Sequence, residues 1–178
     1  SKFTFEPNYG GSLRNNFYTV YESEIWKHYS TNVPYCNFYG KQENSSVTLA
    51  INPNPSLPKT FQTINYEGSP GWSLTSVYTD SNTGVPIISA SSSANLTLLE
   101  NQLFLNNFKA KENKYYGNLL NTTPPSEGTV VYGQSVSGLT GFYMIGTFTF
   151  PDINQSGLTY TKLAELFAVS STFSTVGD

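Results

Sequence analysis

The stretch Ser46-Val47-Thr48-Leu49-Ala50-Ile51-Asn52, followed by Pro53-Asn54-Pro55, decides the fold class. Val47, Leu49 and Ile51 fall on one face and Thr48, Ala50 and Asn52 on the other. A period of two is what a β-strand turns into one apolar and one wet face. The Pro-Asn-Pro punctuation that follows cannot continue a hydrogen-bonded ladder, so the strand ends there.

Working outward, the same period recurs, whereas a period of 3.6 is almost absent. Trp72 to Tyr78 sets Trp72, Leu74 and Tyr78 against Ser73, Thr75 and Thr79. With the turn Asp80-Ser81-Asn82-Thr83-Gly84 and the run Val85 to Ala90, it reads as a hairpin. From Gly141 to Phe150, Phe142, Met144, Phe148 and Phe150 share one face; Gly146 marks a bulge or a close backbone approach, and Pro151 closes the strand. Further strands are expected at Asn16–Tyr21, Tyr35–Tyr39, Thr60–Tyr66, Leu96–Phe104, Thr129–Tyr132 and Leu163–Phe173. The last opens with fair helix formers but ends in Val169-Ser170-Ser171-Thr172-Phe173, which favours a strand. Glu22 to His28 is the one short helix expected. Turn-rich spacers such as Thr122 to Gly128 separate the runs. The expectation is therefore a mainly β protein, an antiparallel sandwich or barrel-like fold with long loops and little helix. No composition break marks a second domain, so residues 1–178 read as one β-rich domain, with 1–30 as an arm or first strands.

Composition narrows the function. Only 12% of the 178 residues are charged and the net charge is -3, where about 25% charged is usual. Ser, Thr and Asn make up about a third of the chain, so its polarity comes from hydroxyls and amides. Nine scattered basic residues against twelve acidic ones exclude a duplex nucleic-acid surface. No run approaches 18 apolar residues and the start Ser1-Lys2-Phe3-Thr4 has no apolar core, so neither a membrane span nor a signal peptide is expected. A chain this long buries about 70% of its unfolded surface without staples, and its single cysteine allows no internal disulfide.

The search for chemistry is mostly negative. His28 is the only histidine and Cys36 the only cysteine, eight residues apart, a separation that neither helix nor strand turns into contact. Cys36 reads as a small buried hydrophobe and His28 as a surface residue. A structural zinc site needs about four Cys or His ligands; the chain has two such residues. Glu22 and Glu24 would share one side of a strand, a weak glycosidase signal. Asp80-Ser81-Asn82-Thr83-Gly84 resembles the opening of a calcium loop, but the twelfth position is Ser91 and a hairpin turn explains it better. Sequons at Asn44, Asn95, Asn121 and Asn154 match the number expected by chance. Gly133, Gly138 and Gly141 have the wrong spacing for a nucleotide loop. No catalytic, cofactor-binding or metal-binding residue is assigned.

One feature points to binding. Tyr9, Tyr18, Tyr21, Trp26, Tyr29, Tyr35, Phe38 and Tyr39 crowd the first forty residues beside Asn and Ser. An aromatic-rich core, a protein interface and a sugar platform all have this composition.

Two sets of segments carry a family resemblance: Tyr35-Cys36-Asn37-Phe38-Tyr39-Gly40 running into Ser45 to Asn54, and Lys111 to Leu119 followed by Gly128 to Phe150 and Glu165 to Ser171. Over roughly residues 30 to 175 the chain resembles the C-terminal region of large tail-tip or muzzle-type virion proteins of crAss-like tailed phages. Ser137-Gly138-Leu139-Thr140-Gly141-Phe142-Tyr143 before a strand, and Leu166-Phe167-Ala168-Val169-Ser170-Ser171 near the end, are its more specific features. The loop Pro151 to Thr161 and the N-terminus depart from the pattern. The resemblance implies a C-terminal piece of a longer protein and a non-enzymatic structural module of the virion tail. The partners it implies are other copies of itself and neighbouring tail proteins in a symmetric assembly. The alternative is a carbohydrate- or receptor-binding domain of the same tail, meeting a bacterial surface glycan. Neither reading requires a cofactor, nucleic acid or a membrane span.

Overall fold

The computed structural model describes residues 5–31, 33–89, 96–99, 102–122, 138–150 and 164–175, with backbone alone for 96–99 and 102–105. Every regular element among them is a β-strand, and none of the sheets closes into a barrel. The described chain forms two compact units, one up to residue 45 and one from residue 46 to 150 with 164 to 175.

The first unit is a three-stranded antiparallel meander, β1 (Tyr9–Leu13), β2 (Asn16–Tyr21) and β3 (Glu24–Lys27), with a short hairpin of β4 (Asn37–Phe38) and β5 (Lys41–Gln42). Its turns are of one kind. Arg14 and Asn15, Glu22 and Ser23, and Tyr39 and Gly40 all have positive φ at both central positions. That backbone twist matches the twist of the flanking strands. The helix expected over Glu22–His28 is absent: Glu22-Ser23 is the turn, and Glu24 starts β3 opposite Tyr21. Local propensity lost to strand pairing because Ile25 and Trp26 gain cross-strand partners in Val20 and Thr19. The strand expected at Tyr35–Tyr39 shrinks to Asn37–Phe38, since Cys36 and Tyr39 sit in the left-handed region at φ 59° and 54°.

The second unit contains β6 (Ser45–Ile51), β7 (Lys59–Gly68), β8 (Ser73–Thr79), β9 (Leu96–Leu99), β10 (Gln102–Leu105), β11 (Lys109–Lys111), β12 (Lys114–Asn118), β13 (Leu139–Gly141), β14 (Met144–Phe150) and β15 (Leu166–Thr175). One sheet has β7 at its centre, with β12 and β13 end to end along one edge, β15 along the other and β11 outside β12. The second sheet has the order β6-β14-β8, and β9 and β10 form a separate hairpin. That hairpin replaces the single strand expected over Leu96–Phe104. Strand Thr129–Tyr132, most of the Thr122–Gly128 spacer and the loop from Pro151 lie outside the described residues.

The two larger sheets pack face to face. Phe61, Ile64 and Tyr66 from β7 meet Leu74, Val77, Met144, Phe148 and Phe150, all buried. The rings of Tyr66 and Phe148 are 6.0 Å apart, and Phe108 closes on both. The outward faces carry hydroxyls and amides paired across strands: Thr48 with Thr147, Thr75 with Thr149, Thr63 with Thr172, Ser170 with Asn65.

A register shift and a strand break account for the side chains that face the other way from the sequence alternation. Between Thr147 and Phe148 the ladder to β8 slips by one residue at Thr75, so the alternation read from Trp72 reverses. Val77 and Thr79 then point inward and Tyr78 points out. The expected run Gly141–Phe150 breaks at Phe142-Tyr143, where the chain passes from the β7 sheet to the β8 sheet, so Phe142 is exposed rather than facing Met144. Gly146 lies flat against Leu74: an added Cβ would stand 3.1 Å from Leu74 Cδ1. Beyond Gly84 the return limb of the hairpin makes only isolated bridges, Leu74 to Ile87 among them, because Pro86 has no N–H to donate. Buried Lys59 donates to the carbonyls of Asn54 and Leu57, tying down the Pro-rich loop before β7.

Candidate functional site

The two faces of the β1–β2–β3 meander differ. One carries Phe17, Thr19, Tyr21 and Trp26, where the rings of Tyr21 and Tyr39 stack at 4.4 Å, Trp26 meets Tyr39 edge-on, and Phe5 stacks on Phe38 at 4.5 Å. His28 is half-buried among Phe5, Phe17 and Phe38 instead of lying on the surface. Loss of hydration in that setting lowers its pKa below the usual 6.5 and favours the neutral ring. Thr19, 1% exposed, is the hub: its Oγ1 lies 2.6 Å from His28 Nε2 and 2.9 Å from Tyr39 Oη. A hydroxyl can donate to one neighbour and accept from the other, so both bonds form at once.

By distance alone Thr19 and His28 would suit a nucleophile and its base. The hydroxyl is buried and shared between His28 and Tyr39, so in this structure it joins β2 to the residue after β3 and to the β4–β5 turn. Cys36 is half-buried, with Sγ 3.0 Å from Ser45 Oγ, so the two residues that could have formed a thiol–imidazole pair hold different partners. Glu22 and Glu24 do not share a strand face, since Glu22 occupies the turn, and both are exposed. Asp80 is a clasp within the fold: its carboxylate accepts from the Phe142 amide at 2.8 Å, while Asn82 Oδ1 accepts from the Thr140 amide at 3.0 Å. Among the described residues no three His, Cys, Asp or Glu side chains converge.

The opposite face of the meander is open. Tyr9, Leu13, Tyr18, Val20 and Ile25 line a shallow concavity floored by Gly10, Gly11 and Ser12, with Tyr9 77% and Ile25 75% exposed. Register puts them together: Tyr9 faces Val20, and Val20 faces Ile25. The sequence singles out Tyr9 and Tyr18 but not the aliphatic residues, which only the pairing of three strands gathers. Three aliphatic side chains between two phenols form a surface suited to another apolar protein face. A sugar platform would need coplanar aromatic rings flanked by amides, and the stacked rings of the other face are spent on each other.

No curated protein matches the chain. A family model, that of the Crassvirus muzzle protein C-terminal domain, matches residues 33–122. The match takes in the Tyr35–Gly40, Ser45–Asn54 and Lys111–Leu119 segments, while Gly128–Phe150 and Glu165–Ser171 lie beyond it. With half of its length covered, the chain belongs to the family of crassvirus muzzle protein C-terminal domains.

Proposed function

We propose that the chain is a non-enzymatic module of the tail-tip muzzle assembly, joined to other chains through largely apolar surface. Family membership makes it a structural protein of a phage virion, working alongside other phage proteins. The observation that supports the finer reading is the open face of Tyr9, Leu13, Tyr18, Val20 and Ile25. Interface cores are depleted in charge and enriched in aromatics; on this outward face β1 and β2 carry no ionisable group other than tyrosine, and the one charge β3 places there is Lys27, opposite Tyr18 at the end of the strand. The hydroxyl- and amide-rich remainder gives further surface that can be buried without removing ions from water.

Immunogold electron microscopy of intact particles with an antibody to this chain tests the reading. Label at the distal end of the tail is expected. Label on the capsid wall, or none on the virion, would overturn it. Turnover of a host surface polysaccharide that Glu22→Gln or Glu24→Gln abolished would overturn the non-enzymatic part.

A further inference from the structure

One side of the second unit is left open by its strand order. β14 lies over β7, where Tyr66 meets Phe148, and β8 lies over β13, where Thr79 Oγ1 donates to the Thr140 carbonyl at 2.7 Å. The two remaining outer strands, β6 and β15, therefore come to the same side of the sandwich. The residues pointing inward there are only half-buried: Val47, Leu49 and Ile51 on β6, Val169 and Phe173 on β15. At the other side Val77 and Leu139 are at most 1% exposed. Neither Ser45–Ile51 nor Leu166–Thr175 contains a charged residue or a proline. Lysines and prolines are the usual means of keeping a sheet edge from pairing with another chain. β15 is ten residues long, is joined to β7 on one edge, and has no strand on its other edge among the described residues.

We propose that this side docks a second copy of the chain, β15 pairing antiparallel with the second copy's β15 about a two-fold axis. The inference rests on the structural reading above and names its partner. Two facts select a second copy. An uncharged strand meets its own image without like charges opposing across the axis. The area also suffices: ten residues at about 3.3 Å each, two layers deep at about 10 Å per layer, give on the order of 650 Å² per copy and about 1,300 Å² in all. That lies within the range of specific interfaces by itself, whereas the β1–β3 face, three strands by about five residues, offers roughly 240 Å² per copy and serves as one patch of a larger contact with neighbouring chains.

Sedimentation and native mass spectrometry of the chain over about 1 to 100 µM should show a dimer that grows with concentration. Ala168→Lys with Thr172→Lys should weaken it by about tenfold or more. Because that variant could also disturb β15, single cysteines at Ala168, Ser170, Thr172 and Ser174 in a Cys36→Ser background give an independent reading. A disulfide-linked dimer is expected at the one or two positions nearest the axis and not at a Glu112→Cys control in the exposed β11–β12 turn. A monomer throughout with no cross-link, or cross-linking at Glu112 alone, overturns the proposal. A monomer whose antibody still labels the tail would reject the docking while leaving the structural role intact, and absence of label from the virion would reject that role itself.

Discussion

Thr19 Oγ1 stands 2.6 Å from His28 Nε2, and the same oxygen reaches Tyr39 at 2.9 Å, so one buried hydroxyl ties three segments of the first unit together. Thr19→Val keeps the volume and removes both bonds, leaving the Tyr39 hydroxyl and the imidazole nitrogen without their partner. A loss of about 1–3 kcal/mol is expected, read from denaturant unfolding followed by Trp26 fluorescence. An unchanged midpoint would show that water replaces the hydroxyl at no cost.

His28 also sets a pH dependence. Its ring is harder to protonate in the folded chain than in the unfolded one, because burial strips water from the charged form. Its contribution is complete above the unfolded value of about 6.5 and is lost as pH falls from there through the lower folded pKa. As the only histidine, its ring proton resonances report the titration directly. A midpoint below 6.5 is expected, with His28→Gln flattening the melting temperature over the same window; a midpoint at or above 6.5 would contradict the burial.

Strands were legible where one face is covered and the ladder is regular. Asn16–Tyr21 matches β2, and Val47, Leu49 and Ile51 lie on the inner side of β6 as the alternation requires. Illegibility came from two sources. A bulge opposite Thr147 reverses the phase within β8, and nothing in Thr75-Ser76 announces it. Turns with positive φ at Arg14-Asn15, Glu22-Ser23 and Glu112-Asn113 lack the glycine that usually marks them, which hid β1, turned β3 into an expected helix and left β11 and β12 unread. The candidate surface was legible only in its tyrosines, because Leu13, Val20 and Ile25 are distant in sequence and meet through pairing.

Leu74 and Leu49 should separate the closed and open sides of the sandwich. Leu74 is fully buried between Ile87, Gly146 and the β7 sheet, so Leu74→Ala is expected to cost about 2–5 kcal/mol. Leu49 points inward but is half-buried, and Leu49→Ala should cost roughly half as much in dilute solution, with Thr48→Ala near 0.5 kcal/mol or less. Chemical denaturation of the three variants at low micromolar concentration decides it. Equal losses at Leu49 and Leu74 would mean that β6 is as well covered as β8.

The turns give the last prediction. Glu22 and Ser23 hold φ of 47° and 68°, a conformation that L-residues with a Cβ adopt at a cost and that Asn-Gly adopts readily. The Glu22 side chain is exposed, its carboxylate accepts from the Tyr21 hydroxyl, a surface contact that the substitution removes, and its backbone amide donates to Asn8 Oδ1 at 3.3 Å. Replacing Glu22-Ser23 by Asn-Gly should therefore stabilise the β2–β3 hairpin by about 0.5–1 kcal/mol, less the entropy that the new glycine returns to the unfolded chain. Slower amide exchange at Ile25 and Trp26 is the direct readout, because those residues pair with Val20 and Thr19 next to the turn. Faster exchange there would show that the hairpin is held by the stacked rings of Tyr21 and Tyr39 rather than by its turn.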